Sequence, residues 1–597
     1  MTGARGPRAI AGLVALTIAV AAWGVAPAAG SSTESLTSEC PTILPLGQVT
    51  TGMKGTAVSV VRGRTPSTMS AEVLGILRDA VGPGRDIIIA DLSGPTVTAA
   101  GGLWAGASGS PVFFRSGGQD KLAGAIAYGL AGGGSTLAGL TPAEDMQALL
   151  GLGADAAAAT AAVKIPTALA ARIAGATGLS IAEVGSLTRL KTPLSASGLT
   201  DRGLRQMQRA IDRQGLPFIP YMGGSASGNP TNRPGQLRAG DSFAAAMSLG
   251  DVTVAGIGTT TFVCDGQAVA FGHPFNWTGE TTMAARAADT ITIVKDPIFG
   301  GFKLANVAES VGVLTQDRLA GIVAELGDGP TGSPITSTVT DLDTGRTRSG
   351  RSEAIFPEFL PFLSFSHLFQ NIDVTIDRIG PGSSAIAYTI RGTRDGGATW
   401  ELTRSTRYAD SFDISFGSVL ELASTAEILE AFPGEDVRVT SIDVPKLDVK
   451  QAVEQYDVTR VLVWNGSRYV NRRLVSGRPG QTIRLRAVLR PTHTTGTKNV
   501  DLPLRVPSNA RRSGYIQVLG GGSISPEIPC FIFEEECVEE TEQSFDSLLR
   551  AFQNQPPGNA VVAQLRLGGA ETLRAQAASE QDAVVSGGRA IGFRLIR

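Results

Sequence analysis

The chain contains three histidines, His273, His367 and His493, and a hydroxyl nucleophile activated by an imidazole base would have to use one of them. His367 lies in Phe362-Leu363-Ser364-Phe365-Ser366-His367-Leu368-Phe369, an apolar run that predicts a satisfied core or interface histidine. His493 lies in Pro491-Thr492-His493-Thr494-Thr495, a polar loop that predicts a solvated ring. His273 lies in Gly272-His273-Pro274-Phe275, just past a predicted strand, where glycine and proline constrain the backbone as a reactive position requires. The matching nucleophile is Ser108, in Gly106-Ala107-Ser108-Gly109-Ser110-Pro111. A serine on a tight glycine turn presents its hydroxyl beside its own N–H and that of a neighbouring glycine. Here those donors are Gly106 and Ser108, an oxyanion hole worth about 3–4 kcal/mol per donor. In a chain with 74 glycines the same hexapeptide also reads as a plain surface turn.

Other chemistries leave no trace. Ser110 stands where a G-x-S-x-G elbow needs glycine. No Walker loop, H-E-x-x-H or S-x-x-K pattern occurs, so neither cofactor nor metal is expected. A formal net charge of -2 gives no reason to expect nucleic acid or an anionic membrane as partner.

The elements that must position these residues read as strands. With 74 Gly, 32 Pro and 18% charged residues in 597, the chain is mainly β, with many turns and two to four domains. Candidate strands are Thr56–Val61, Glu72–Leu77, Ile87–Asp91, Pro111–Phe114 and Leu122–Tyr128, punctuated by Gly82-Pro83-Gly84 and Ser116-Gly117-Gly118. Thr141-Pro142-Ala143-Glu144 predicts a short helix with Thr141 as N-cap. Residues 151–165 are an Ala/Gly-rich linker, and a helix carrying Leu204, Met207 and Ile211 follows. A hairpin turns at Asp265-Gly266. Beyond residue 335 a sandwich-like β-rich region is expected to residue 540, with strands Tyr456–Trp464, Thr482–Leu489 and Tyr515–Leu519 and one helix near Ala423–Phe432. A helix over Ser544–Phe552 opens a C-terminal segment of helix plus strand, 541–597.

Residues 1–30 have the pattern of a secretory signal: Arg5 and Arg8, an apolar run from Ala9 to Trp23, and small residues at Ala26-Pro27-Ala28. The expected location is secreted or cell-envelope, with no membrane span after cleavage. An even number of cysteines in an exported chain favours disulfides. Cys530 and Cys537 would close a short acidic loop, leaving Cys40 with Cys264.

Taken in order, several segments resemble the SpoIVB-type serine peptidases. They are Gly52-Met53-Lys54-Gly55, Val73-Leu74-Gly75-Ile76-Leu77 with Gly82-Pro83-Gly84-Arg85-Asp86, Gly106-Ala107-Ser108-Gly109-Ser110-Pro111, Gly124-Ala125-Ile126-Ala127-Tyr128, Leu140-Thr141-Pro142-Ala143-Glu144-Asp145-Met146, Ala270-Phe271-Gly272-His273-Pro274-Phe275 and Gly312-Val313-Leu314-Thr315-Gln316-Asp317-Arg318. The nucleophile motif also resembles the G-D-S-G-G-P loop of trypsin-like proteases. The resemblance implies a peptidase domain over 31–335 with a trypsin-like β-barrel core, Ser108 as nucleophile, His273 as general base and a polypeptide substrate. For the third triad member it implies an acidic residue a little upstream of the serine, where Asp91 lies nearest; Asp317 is the other candidate. Two departures stand out. Ser108 precedes His273, the reverse of the family order, which a permuted barrel or a refolded second half would accommodate. Ala107 replaces the family's methionine. The leading expectation is an exported serine endopeptidase whose C-terminal half binds a surface polymer or cell-envelope partner, or serves as a rigid spacer. The alternative is a binding or scaffold protein that keeps the fold without activity.

Overall fold

The computed structural model describes residues 40–130, 134–151, 162–181, 184, 186–224, 237–296, 300–524, 544–568 and 573–596. The signal segment, most of the 151–165 linker, Cys530 and Cys537 lie outside them. The architecture is mainly β, in several sheets.

The first strands are β1 (Lys54–Val60), β2 (Pro66–Gly82), β3 (Arg85–Ser93), β4 (Trp104–Ala105), β5 (Pro111–Ser116), β6 (Gln119–Leu130) and β7 (Leu137–Pro142). Alternation drives them: Met69, Ala71 and Val73 of β2 point into the core, while Ser70 between them is exposed. Pairing runs β5–β1–β2–β3–β7–β6 and returns to β5, a ring of six antiparallel strands. Two short strands, β8 (Ala162–Lys164) and β9 (Ser186–Arg189), extend one edge of β6.

The chain then forms β10 (Thr192–Ser197), a helix at Asp201–Gln214 and β11 (Phe218–Met222). The helix is capped by Thr200, whose hydroxyl accepts from Gly203 N–H, and buries Met207 and Ile211. A second ring follows: β12 (Ser242–Gly250), β13 (Thr253–Cys264), β14 (Gln267–Ala270), β15 (Gly279–Val294), β16 (Gly301–Arg318) and β17 (Gly321–Leu326). Its pairings run β12–β13–β14–β17–β16–β15 and return to β12. Asp265 and Gly266, both at positive φ, make the expected hairpin turn between β13 and β14. β4, which leads into β5 of the first ring, pairs parallel with β16 of the second.

The boundary expected at 335 falls inside a strand. β18 (Ser333–Asp341) pairs with β19 (Thr347–Ala354), and β19 pairs with β12. The same sheet continues through β20 (Gly382–Arg394), β21 (Ala398–Asp410) and β22 (Arg438–Lys450). A helix at Leu360–Ile376 covers it. In that helix His367 is fully buried and its ring is satisfied twice: Nε2 meets Ser337 Oγ at 2.9 Å and Nδ1 meets Ser352 Oγ at 2.9 Å. His493 is exposed. Further on, two five-stranded sheets share one core, with Val461, Leu485 and Leu502 facing Ile516, Val561 and Ile591. The last strands, Ala560–Leu567 and Gly588–Leu595, both pair with Gly514–Gly520, so the C-terminal segment is part of this body. The expected helices appear at Leu420–Glu430 and Phe545–Asn554. Among the described residues no helix is long and apolar enough to cross a membrane.

One disulfide joins Cys40 to Cys264, at the hairpin that leads into His273, as expected; it closes a separation of 224 residues. Replacing both cysteines by serine is expected to lower the unfolding free energy by about 2–5 kcal/mol. Urea unfolding followed by tryptophan fluorescence would measure this, and an unchanged midpoint would mean the link adds no stability.

Candidate active site

Ser108 sits on the turn between β4 and β5. Its backbone needs glycine on both sides. Gly106 has φ +88° and Gly109 φ +91°. A Cβ at 109 would lie 1.9 Å from Thr259 O and 2.5 Å from Phe271 N, and one at 106 would lie 2.8 Å from Lys303 Cβ. The turn closes with Ala107 N–H to Trp104 O at 3.2 Å and Ser110 N–H to Ala107 O at 2.9 Å. The Ala107 carbonyl is therefore used inside the turn, and the Ser108 N–H on the other side of that peptide points away from it. Among the described residues neither the Gly106 nor the Ser108 N–H meets a protein acceptor. These are the two donors expected of an oxyanion hole.

The second ring holds this turn. Thr259 N–H donates to Ser108 O at 2.8 Å and Thr259 Oγ1 donates to Gly106 O at 3.0 Å. Thr261 Oγ1 donates to Gly109 O at 2.8 Å. Behind Thr259, the fully buried Lys303 places Nζ 3.0 Å from Thr259 Oγ1 and 3.2 Å from Ser242 Oγ. Burial pulls this amine down to about 7.

His273 follows β14 in a tight bend. Phe271 and Gly272 both have positive φ, and so does Trp277 beyond. A non-glycine residue in this region costs on the order of 1–3 kcal/mol and persists only where its surroundings impose it. The ring is fully buried, and its Nε2 lies 2.9 Å from Ser108 Oγ. Its Nδ1 lies 2.7 Å from Pro274 O. A carbonyl can only accept, so Nδ1 carries the proton and Nε2 is the free base facing the serine hydroxyl. Burial, aided by the Arg189 charge, holds the imidazole down to about 3. Burial thus favours the neutral ring.

Asp91 does not take the acid position. Its carboxylate accepts from Thr136 Oγ1 at 2.5 Å, and His273 Nδ1 is already occupied by Pro274 O. Asp91 lies on β3, within the first ring, whereas the base is carried by the second. Asp317 comes closer to the role. Fully buried at the end of β16, it accepts from the N–H of Phe275 at 2.7 Å, Asn276 at 2.6 Å and Trp277 at 2.7 Å. Burial pushes this carboxyl up, against those hydrogen bonds. Asp317 thus fixes the turn whose carbonyl orients the imidazole. Thr141, expected as a helix N-cap, instead donates to Gly272 O at 2.6 Å, and the short helix Ala143–Gln147 starts from Pro142. Thr259 and Lys303 carry no local sequence signal, because their contacts with the turn span about 150 residues or more of chain.

Three outcomes are expected. Gly109→Ala should abolish the close packing of the two rings at the turn and lower the melting temperature. Asp317→Ala leaves buried donors unmet at about 1–3 kcal/mol each, so its unfolding free energy should drop by at least about 2 kcal/mol. As pH falls from about 6.5 toward 4, the unfolded chain binds protons that the buried imidazoles of His273 and His367 refuse, so stability falls by about 1.4 kcal/mol per pH unit per histidine. The midpoint in urea should then shift less with pH in His273→Gln than in wild type, and equal shifts would refute the assignment. Protein-family models, curated proteins and solved structures yield no match to this chain, so its functional reading rests on this geometry.

Proposed function

We propose that this protein is an exported serine endopeptidase acting through an acyl-enzyme on Ser108. The observation that carries the reading is the dyad: Ser108 Oγ at 2.9 Å from a His273 nitrogen whose partner nitrogen is committed to a carbonyl. Nε2 takes the hydroxyl proton as Oγ attacks the scissile carbonyl. The oxyanion forms beside the N–H groups of Gly106 and Ser108. The C–N bond breaks as Nε2 returns the proton to the leaving amine, and water, deprotonated by the same nitrogen, then releases the acid and restores Ser108. No metal or cofactor enters these steps.

The two rings of six antiparallel strands, with serine in one and histidine in the other, support a trypsin-like double barrel. Ser108 precedes His273, whereas the trypsin-like order places the histidine before the serine. Exchanging the order of the two rings would convert one order into the other, which supports the permuted form of the reading. The Cys40–Cys264 bridge supports an oxidising location. The sandwich-like C-terminal half is the part available to a cell-envelope partner.

A second reading is favoured by the closure of the site, since Ser108 is 2% exposed: a binding or scaffold protein that retains a dormant dyad. Prolonged incubation with a fluorophosphonate probe separates the two. The peptidase reading expects a covalent adduct on Ser108 that disappears in Ser108→Ala and falls at least about 100-fold in His273→Ala. A folded wild type that never labels would favour the scaffold.

A further inference from the structure

The dyad is assembled but covered, and the cover can be traced along one edge of β6. From Gln119 to Ala125 that edge pairs with β5. At Ile126 it meets the nucleophile turn, with Gly109 N–H to Ile126 O at 2.8 Å and Ile126 N–H to Ser110 O at 3.0 Å. Immediately beyond, Tyr128, Gly129 and Leu130 pair antiparallel with Arg189, Thr188 and Leu187 of β9, and Leu190 N–H donates to Ala127 O at 3.0 Å. β9 therefore abuts the Ser108 turn and runs toward it from N- to C-terminus. The chain then crosses to the second ring. The Pro193 ring comes within 3.2 Å of the Cβ position at Gly106, and Leu194 pairs with Gly256 of β13. Leu187 to Leu194 thus spans the gap between the rings beside the base and the oxyanion glycine.

An endopeptidase must hold its substrate extended, with one carbonyl at the nucleophile. Adding that substrate as a strand to a sheet edge supplies the hold through main-chain hydrogen bonds alone. The edge of β6 leading up to Ser108 is the place for such a strand, and this chain's own residues fill it. We propose that the β6 edge at Ala127–Leu130 is the docking edge for an extended polypeptide, and that Ser186–Leu190 is seated there as a built-in pseudo-substrate that keeps the site latent until it is displaced. The inference rests on the peptidase reading above. The hold is weak enough to be reversible. β9 has four residues, and the only strand on its far side is the three-residue β8, which ends the sheet there. Short, thinly backed elements open at low free energy.

Because Leu190 bonds to Ala127, alternation makes Thr188 and Leu190 the residues whose N–H groups face β6. The full chain carrying Thr188→Pro and Leu190→Pro loses both donors. Its Ser108 labelling rate with a fluorophosphonate probe is compared with wild type, and hydrogen exchange at Ala127–Leu130 reports whether the strand has left. The expected result is faster exchange together with labelling at least tenfold faster. A synthetic peptide of residues 186–193, Ser-Leu-Thr-Arg-Leu-Lys-Thr-Pro, should then slow labelling of the variant in a concentration-dependent way, while a scrambled peptide should not. Thr188→Pro alone provides a milder version should the double variant fold poorly. Faster exchange with an unchanged labelling rate would overturn the latency and leave the peptidase reading standing. Faster exchange with neither chain labelling would overturn both. A peptide without effect on the released variant would overturn the docking edge.

Discussion

Thr259 grips the Ser108 turn with its N–H on Ser108 O and its hydroxyl on Gly106 O, and it receives the Lys303 ammonium from behind. The turn belongs to the first ring; Thr259 and Lys303 belong to the second. The rest of the site follows from this clasp. Within the turn so held, the Ala107 carbonyl accepts from Ser110 N–H, which leaves the Ser108 N–H of the same peptide facing the other way. With the two backbones this close, residue 109 has no room for a side chain, because Phe271 N and Thr259 O already fill the space. Phe271 in turn takes a positive φ, which sends His273 back over the serine. Asp317 secures the far side of the same bend. The Ser108–His273 pair is thus a product of how two sheets meet, and neither ring would possess it alone.

That division explains which parts of the molecule can be read from the sequence. Strand alternation, the Asp265-Gly266 hairpin and the glycine-flanked Ser108 are local patterns, and they appear as written. The scarcity of histidine narrows the possible partners of Ser108 to few, and His273 is the one beside it. The orienting group does not show in this way. Proximity along the chain points to Asp91, but the acceptor on Nδ1 is the next residue's carbonyl, a group every residue has and no motif marks. The acid that matters, Asp317, acts through backbone N–H groups some 40 positions away. The helix at Leu360–Ile376 is hidden for another reason. It is buried on nearly every side, including Ser364, His367, Asn371 and Asp373, so its polar residues sit among apolar ones without the one-sided stripe that marks a surface helix. His367 reads correctly as a core histidine even though its element does not.

The expected boundary near 335 fails for a related reason. A composition shift marks where turns and strands change character, but hydrogen-bond ladders ignore composition. β19 adds to β12 of the second ring, and the sheet that grows from it reaches β21. The strands from β18 to β22 are therefore joined by a continuous hydrogen-bond ladder to the ring that carries His273. The two C-terminal sheets, with their own core, begin only after this extension.

The separation of 165 residues between Ser108 and His273 also has a temporal meaning. A chain made from its N-terminus presents the serine ring well before the histidine exists, and Cys40 waits still with its thiol until Cys264 arrives. Contacts of such long range close late in folding. On the peptidase reading, a serine that meets its histidine only once the second ring has closed would be inert during the first part of its own synthesis. The order of the two rings thereby delays the meeting of Ser108 and His273 until more than half the chain has been assembled.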